Sequence, residues 1–292
     1  MIDEQPKIKR PVLRYHGGKW RSAPWIIAHM PPHKIYVEPY GGAASVLLRK
    51  PISFAEIYND LDGAIVELFK VLRDPEQSKE LIRLIELTPF SRDEYEGSIN
   101  NRNGNMVENA RKTICKSFMG YSSDSVTRSG KSGFRSVNMK SGRYCAADWE
   151  NYPYHLAMAI RRLKRVIIEN KPALEVLDRY DGPGTLFYCD PPYLESKRHV
   201  GSYDRSYQHD MNDDDHIELS NKLHTLKGMV ILSGYPSELY DKLYSGWEKH
   251  ENSVRIHGGK RQGTKVVTEV IWLNKNCRGK INLPLFQERI GG

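Results

Sequence analysis

The first 75 residues alternate between short apolar runs and amphipathic stretches. Residues 35–37 and 53–58 are apolar runs of strand length, and each ends in a polar or glycine-rich loop. Residues 45–49 and 64–72 place apolar side chains on one face at a spacing of about 3.6, which predicts helices. The order β-α-β-α is typical of the start of a doubly wound sheet.

The pattern changes after residue 75 and returns near residue 166. Amphipathic helices are predicted at residues 78–87, 107–119 and 154–166, with a polar, basic loop at 121–149. Beyond them, strands are predicted at 166–170, 185–189, 229–233, 253–256 and 266–274, and helices at 173–177, 213–226 and 238–243. We therefore predict one α/β domain built from residues 1–75 and 166–292, interrupted by a helical segment at 76–165.

Composition supports a core and favours an anionic partner. Of the 292 residues 39% are hydrophobic, and 44 Lys and Arg outnumber 36 Asp and Glu, for a net charge of +8. Such an excess favours a polyanion but does not identify one. No apolar stretch has the length of a membrane span, and residues 1–7 lack the apolar core of a signal peptide.

The four cysteines point to a reduced protein. Cys115, Cys145, Cys189 and Cys277 form no C-x-x-C pair, and no cluster has zinc spacing. Cys189 lies in an apolar run and is expected to be a small buried hydrophobic residue. We expect a cytoplasmic protein without a metal site.

The most informative motif is Asp190-Pro191-Pro192-Tyr193, directly after the apolar run 185–189. In open α/β sheets the carboxyl ends of strands are where ligands bind. A carboxylate and carbonyls that follow rigid prolines are acceptors, and Tyr193 offers a face for stacking, so the motif suits the exocyclic amino group of a nucleobase. The alternative is a Pro-Pro turn that ends a core strand.

A second set of residues indicates a cationic cofactor. Gly41 and Gly42 follow the first strand without the P-loop or G-x-G-x-x-G pattern, and Glu38 at its tip would repel phosphate. S-adenosylmethionine, with a sulfonium, an ammonium and a ribose diol, fits better, and Asp60 is placed to accept ribose hydroxyls. The alternative for Glu38 and Asp60 is a pair of solvated loop acids.

An upstream turn adds candidates to this site. Tyr15, Gly18 and Lys19 belong to the segment Tyr-His-Gly-Gly-Lys. Its glycines predict a tight turn that presents backbone and an ammonium. Lys19 is expected to meet the cofactor carboxylate and Tyr15 to pack on the cofactor, the alternative being a plain turn with an exposed lysine.

Taken in order, these motifs resemble those of the Dam-type, D12-class DNA adenine-N6 methyltransferases of the α group. The order is Tyr-His-Gly-Gly-Lys, Val-Glu-Pro-Tyr-Gly-Gly-Ala-Ala-Ser-Val, Tyr-Asn-Asp, a helical insertion and Asp-Pro-Pro-Tyr. The resemblance implies a class I S-adenosylmethionine-dependent methyltransferase, with a Rossmann-like, mostly parallel sheet. It also implies that the insertion is a helical target-recognition subdomain.

The resemblance implies roles for particular residues. Catalysis would rest on Asp190, Pro191, Pro192 and Tyr193. The cofactor would be bound by Tyr15, Gly18, Lys19, Glu38, Pro39, Tyr40, Gly41, Gly42, Asp60 and Asp190. Ala44 replaces the second glycine of the family loop, and from its size we expect slight crowding.

The expected partner is double-stranded DNA, from which an adenine is flipped into the pocket. Contacts are expected from the basic stretch within loop 121–149, which contains Arg128, Lys131, Arg135, Lys140 and Arg143 and no acidic residue. The alternative is a solvated basic loop, and solvation is also expected at Lys260 and Arg261. The resemblance transfers no recognition sequence, oligomeric state or restriction partner.

Three other functions compete with this prediction. The same fold could methylate cytosine N4 or an amino group in RNA. It could also be a catalytically silent nucleic-acid-binding module, against which the intact Asp-Pro-Pro-Tyr, Lys19 and Asp60 argue. A nucleotide-dependent oxidoreductase is disfavoured by Glu38 and by the missing G-x-G-x-x-G.

Overall fold

A seven-stranded sheet organises the chain. The computed structural model describes residues 8–99, 104–121, 125–126, 133–136, 145–194, 210–257 and 264–279. Its strands are β1 (Ile35–Glu38), β2 (Ala55–Asn59), β3 (Val166–Glu169), β4 (Thr185–Cys189), β5 (Met229–Gly234), β6 (Glu248–His257) and β7 (Thr264–Leu273). Their order is β3-β2-β1-β4-β5-β7-β6, with β1 to β5 parallel and β7 antiparallel to both of its neighbours. The predicted Rossmann-like, mostly parallel sheet is confirmed.

Helices cover both faces of this sheet. They are α1 (Ala23–Ala28), α2 (Ser45–Arg49), α3 (Gly63–Arg73), α4 (Pro75–Leu87), α5 (Arg92–Gly97), α6 (Met106–Met119), α7 (Cys145–Glu150), α8 (Tyr152–Leu163), α9 (Ala173–Tyr180), α10 (Asp213–Thr225) and α11 (Glu238–Leu243), followed by a 3₁₀ turn at Lys275–Cys277. The short helices α1, α5 and α7 were not predicted. None of the helices in the described part of the chain is long and apolar enough to cross a membrane.

The core is divided by the sheet into two apolar clusters. One contains side chains of α2, α3, α4, α6 and α8, among them Leu47, Phe69, Leu81, Ile114 and Leu156. The other joins α9, α10 and α11 to the sheet through Leu177, Leu219, Tyr240 and Trp272. Every residue of β4 and β5 is buried, as expected for parallel strands covered on both faces.

All four cysteines lie among the described residues, where each is buried and none forms a disulfide. Cys189 is fully buried within β4, as its apolar surroundings predicted. Within the same residues, no group of three or more His, Cys, Asp and Glu side chains is placed to hold a metal ion.

Helix α2 begins immediately after a strained residue. Ala44 precedes its first turn with φ of 52° and ψ of 36°, the left-handed region that disfavours a side chain. Its N–H donates to the Gly41 carbonyl at 2.7 Å, and its carbonyl accepts from the Leu48 N–H at 3.0 Å. The replacement of glycine noted in the sequence therefore carries a backbone cost, which side-chain size alone did not reveal.

We expect Ala44→Gly to raise the free energy of unfolding by about 1 kcal/mol, because relief of the left-handed strain outweighs the added entropy of the unfolded chain. Urea-induced unfolding followed by circular dichroism measures the change. The matched control is Ala43→Gly, a neighbour that is equally small and is not left-handed. That variant should lose stability, and a loss at both positions would contradict the prediction.

Candidate active site

The parallel register of three strands brings three loops to one edge of the sheet. Glu38, the last residue of β1, is opposite Tyr58 of β2, and Val37 is opposite Phe187 of β4. The loops that follow these strands surround a cavity of about 300 Å³. Its lining includes every residue predicted for the cofactor or for catalysis: Tyr15, Gly18, Lys19, Glu38, Pro39, Tyr40, Gly41, Gly42, Asp60, Asp190, Pro191, Pro192 and Tyr193.

The glycine loop after β1 is held tightly against β2. A Cβ atom on Gly41 would lie 2.2 Å from the Tyr58 ring, so packing requires glycine there. Gly42 has φ of 46°, and a Cβ atom on it would lie 2.9 Å from the Tyr15 ring. The Tyr58 hydroxyl donates to the Gly42 carbonyl at 2.7 Å, which fixes the loop to β2. The loop can therefore approach a ligand through its backbone.

Two backbone donors orient Asp60. One carboxylate oxygen accepts from the Gly42 N–H and the other from the Asp62 N–H, each at 2.8 Å. Each carboxylate oxygen has a second lone pair, so Asp60 can still accept hydroxyl groups from a ligand. The next acid, Asp62, caps α3 by accepting from the N–H groups of Ala64 and Ile65.

Glu38 is a buried acid at the floor of the cavity. Its Oε1 accepts from the Tyr36 hydroxyl and from the Leu47 N–H, each at 2.7 Å. Burial raises the pKa of Glu38 to about 8, although these two hydrogen bonds and the positive charge of Lys50 favour the ionised form. At neutral pH the carboxyl is therefore mostly protonated until a cation arrives.

Lys19 and Asp190 form an ion pair across 171 positions of sequence. The Lys19 ammonium donates to Asp190 Oδ2 at 2.8 Å, to the Gly17 carbonyl at 3.0 Å and to the Tyr193 hydroxyl. Burial lowers the pKa of Lys19, but attraction to Asp190 and other anions more than offsets this effect, so the pKa is raised. Burial likewise raises the pKa of Asp190, and Lys19 opposes that rise. The lysine, which the sequence analysis placed on the cofactor carboxylate, has all three of its protons engaged.

One oxygen of Asp190 is not used by Lys19. This atom, Oδ1, is buried and forms no hydrogen bond of ordinary geometry among the described residues, although the nearby Ser233 hydroxyl favours the ionised form of Asp190. The Lys19 ammonium lies 4.8 Å from the centroid of the Tyr193 ring. The centroids of the Tyr193 and Tyr235 rings lie 4.4 Å apart. A buried acceptor therefore sits beside an aromatic surface. Sequence reasoning missed Tyr235, for which the only signal was an aromatic residue just after a buried strand.

Carboxylates dominate the charge of the cavity. Acids that line it are Glu38, Asp60, Asp190, Asp62, Asp210, Asp215 and Glu218, the last four of which the sequence did not identify. Among the described residues that line the cavity, Lys19 is the one Lys or Arg, and it is paired with Asp190. The cavity therefore favours a cationic ligand and disfavours a polyphosphate.

The residues predicted to contact DNA fall largely outside the described part of the chain. Arg128, Lys131, Lys140 and Arg143 lie there, as do Lys260 and Arg261. Arg135 is described, and its N–H donates to the Met119 carbonyl at 2.6 Å. The backbone N–H of Tyr121 donates to the Gly133 carbonyl at 2.9 Å, so the backbone at the end of α6 is hydrogen-bonded to residues 133–135. Arg135 is not among the residues that line the cavity.

We expect Lys19→Met to lower the free energy of unfolding by about 2 kcal/mol at about pH 8, less than for a fully buried pair because Asp190 keeps some exposure. The loss should shrink at about pH 5, since protonation of Asp190 removes its unpaired charge. Urea titrations at both pH values measure this. Lys19→Met/Asp190→Asn should recover stability at the higher pH, and equal losses in the two variants would contradict the coupling.

Several solved structures are similar to the chain, all at low sequence identity. A precorrin 8W decarboxylase from Methanobacterium thermoautotrophicum is 12% identical with a TM-score of 0.33, and 87% of each chain is covered. A putative RNA methyltransferase from Pyrococcus horikoshii is 9% identical with a TM-score of 0.35, covering 91% of this chain and 87% of its own. An rRNA methylase from Streptococcus thermophilus is 10% identical with a TM-score of 0.33, covering 91% and 97%. Scores this low carry no conclusion about the chemistry of the site.

The family comparison is decisive where individual proteins are not. Among the curated proteins, none matches the sequence of this chain. The model of the D12 class N6 adenine-specific DNA methyltransferases, in contrast, matches residues 15–257, from Tyr15 at the cavity to the end of β6. Because this match spans most of the chain, the protein belongs to the D12 class of N6 adenine-specific DNA methyltransferases and is a methyltransferase of class I fold whose cofactor is S-adenosylmethionine.

Proposed function

We propose that this methyltransferase acts on the N6 amino group of an adenine that is flipped out of duplex DNA. The observation that carries the proposal is Asp190 Oδ1, a buried acceptor that Lys19 does not use, together with the nearby Tyr193 ring, within the cavity that we propose for the cofactor. An amino group needs an acceptor and a flat base needs a stacking surface, and both are present. Cytosine N4 and RNA amino groups would need the same acceptor and stacking surface, so these features do not distinguish them from adenine N6. The family match is what favours adenine in DNA.

The residues of the cavity fit S-adenosylmethionine, which supplies an electrophilic sulfonium methyl group when bound. Glu38 would face its ammonium, and Asp60 would accept its ribose hydroxyls. Gly41 and Gly42 would let the backbone approach it, with Gly18, Pro39, Tyr40 and Tyr15 completing the walls. The acidic residues of the cavity outnumber its single lysine and favour this cationic molecule over a nucleotide with phosphates.

Asp190 and Pro191 would orient the amino group for attack. The N6 lone pair of adenine is delocalised into the ring, so hydrogen bonds from N6 to Asp190 Oδ1 and to the Pro191 carbonyl would favour a pyramidal, nucleophilic nitrogen. Bound S-adenosylmethionine would supply the methyl group and keep the leaving electron pair on its sulfur, and Asp190 would accept the proton that N6 releases. The catalytic contribution would be positioning and electrostatics.

Lys19 and Tyr193 would support this arrangement from behind. Since Lys19 binds both Asp190 and the Tyr193 hydroxyl, we assign it to fixing the acceptor and the stacking ring rather than to the cofactor carboxylate. Pro191 and Pro192 lie between Asp190 and Tyr193, and the fixed φ of each proline keeps this loop stiff.

DNA would be engaged by the helical segment 76–165, which we propose as the target-recognition subdomain of an intracellular enzyme. Arg135 lies at the pairing between residues 120–121 and 133–135, where the basic stretch leaves α6. Together with the net charge of +8, a basic stretch in this place supports contacts to phosphates and bases. The division of the chain at residues 75 and 165 is part of this proposal.

The proposed function is tested by identifying the methylated nucleoside. The protein is incubated with S-adenosylmethionine and mixed-sequence duplex DNA, which is then digested and analysed by mass spectrometry. N6-methyladenine is the expected product. N4-methylcytosine would overturn the choice of base, and no product despite cofactor binding would favour an RNA substrate or a catalytically silent binding module.

In the same assay Asp190→Ala should abolish methyl transfer, because it removes the acceptor that orients the amino group. Cofactor affinity, measured by isothermal titration calorimetry, should stay within about tenfold of wild type, since Asp190 is one of several acids in the cavity. Retained turnover would refute the role of Asp190 in catalysis. A loss of cofactor binding would reassign Asp190 to the cofactor.

Affinity for S-adenosylmethionine should rise between about pH 6 and pH 7.5 in the wild-type protein. Glu38 has a pKa of about 8, so a bound ammonium must first displace its proton, and fewer proteins carry that proton as the pH rises. Glu38→Gln removes the titrating group and should bind more weakly with a flatter pH dependence. Calorimetry over this range decides between the two outcomes, and identical slopes would refute the cofactor role of Glu38.

A further inference from the structure

A buried cluster of charges lies directly behind Glu38. Glu56 of β2 forms ion pairs with Lys50 and with Arg162 of α8. The Lys50 Nζ lies 2.7 Å from Glu56 Oε1, and the Arg162 Nη1 lies 2.5 Å from Glu56 Oε2. Arg162 also donates from Nη2 to Glu56 Oε1 at 2.8 Å, which makes the pair bidentate. All three side chains are almost completely buried. Two cations and one anion leave this cluster with an excess positive charge.

Two direct routes join the cluster to Glu38. The Lys50 ammonium lies 4.3 Å from the centroid of the Tyr36 ring, and the Tyr36 hydroxyl donates to Glu38 at 2.7 Å. Arg162 donates to the Leu47 carbonyl at 2.7 Å, and the Leu47 N–H donates to the same oxygen of Glu38. The acid is thus held from β1 and from α2, and both elements are fixed by the cluster.

The charges balance only when Glu38 is ionised. Lys50, Arg162, Glu56 and an ionised Glu38 sum to zero, whereas a protonated Glu38 leaves one buried positive charge uncompensated. Glu38 is faced by Tyr36 of β1, the Leu47 N–H of α2, Lys50 after α2 and Asp190 after β4. Of these, Asp190 opposes ionisation of Glu38, while the other three favour it.

We infer that Tyr36 and Lys50 are positioning residues that hold Glu38 in the orientation and charge state in which it binds the cationic end of the cofactor. The inference rests on the cofactor role proposed above for Glu38. Neither residue is among those that line the cavity, so they act through Glu38. The wild-type affinity near neutral pH then depends on groups that do not touch the cofactor.

The experiment compares Tyr36→Phe and Lys50→Met with the wild type in calorimetric titrations of S-adenosylmethionine at about pH 7 and pH 9. Loss of either group raises the pKa of Glu38, and one unit would weaken binding about tenfold at pH 7 but less than about twofold at pH 9. Dividing the affinity of each variant by the affinity of the wild type at the same pH removes the effect of the ionisation of the cofactor itself. Recovery of affinity at high pH is the signature of the inference, because a general loosening of the site would not be reversed by removing a proton.

Tyr58→Phe is the matched control. Tyr58 is as buried as Tyr36 and donates a hydrogen bond of equal length, 2.7 Å, but to the Gly42 carbonyl instead of to Glu38. Its affinity ratio should be the same at the two pH values. Tyr36→Phe keeps all the packing atoms except the hydroxyl, so it decides the matter if Lys50→Met fails to fold by circular dichroism.

The outcomes separate the two levels of the proposal. If Tyr36→Phe and Lys50→Met show equal ratios at both pH values while wild type and Glu38→Gln still differ in pH dependence, the inference is overturned and the cofactor role of Glu38 survives. If wild type and Glu38→Gln share one pH dependence, the proposed role of Glu38 itself is refuted.

Discussion

The ion pair between Lys19 and Asp190 is the contact on which the rest of the site depends. A lysine that is 4% exposed and an aspartate at the end of a buried strand would each be costly alone, and each makes the burial of the other tolerable. Their pairing draws the segment before α1 across the carboxyl edge of the sheet, so that Tyr15, Gly17 and Gly18 become one wall of the cavity. It also leaves Oδ1 of Asp190 outside the ion pair, and this is the oxygen that we propose for the amino group of the substrate.

Backbone N–H groups hold three of the remaining acids of the cavity. Asp60 accepts from two such groups, Asp62 caps a helix, and Glu38 accepts from Leu47 while keeping a raised pKa. Fixed donors and partial protonation together reduce the repulsion among like charges. The same acids that shape the loops therefore favour a ligand with positive charge and disfavour phosphate groups.

Sequence patterns were sufficient for most of the strands, for the long helices and for the motif residues that line the cavity, because each depends on local order. Strand ends are visible as apolar runs that stop, and parallel strands necessarily bring those ends to one edge. The partner of Lys19 was not visible, since its contact spans 171 positions and a lysine beside two glycines also suits an exposed turn. The start of β6 at Glu248 was missed because its first residues are polar, as an edge strand allows. The sequence showed that alanine occupies position 44, but it did not show that the φ of Ala44 is left-handed.

The helical segment is joined to the catalytic edge by specific hydrogen bonds. The Ser117 hydroxyl of α6 accepts from the Arg14 N–H at 2.8 Å and donates to the Arg14 carbonyl at 3.1 Å. The Arg14 guanidinium donates to the Gly120 carbonyl where α6 ends, and the Tyr152 hydroxyl of α8 donates to the Val12 carbonyl at 2.7 Å. Arg14 directly precedes Tyr15 and lies five positions before Lys19. The segment that carries Lys19 is therefore held in part by α6 and α8, so the segment proposed to read DNA and the residues proposed to perform the chemistry are connected by direct hydrogen bonds.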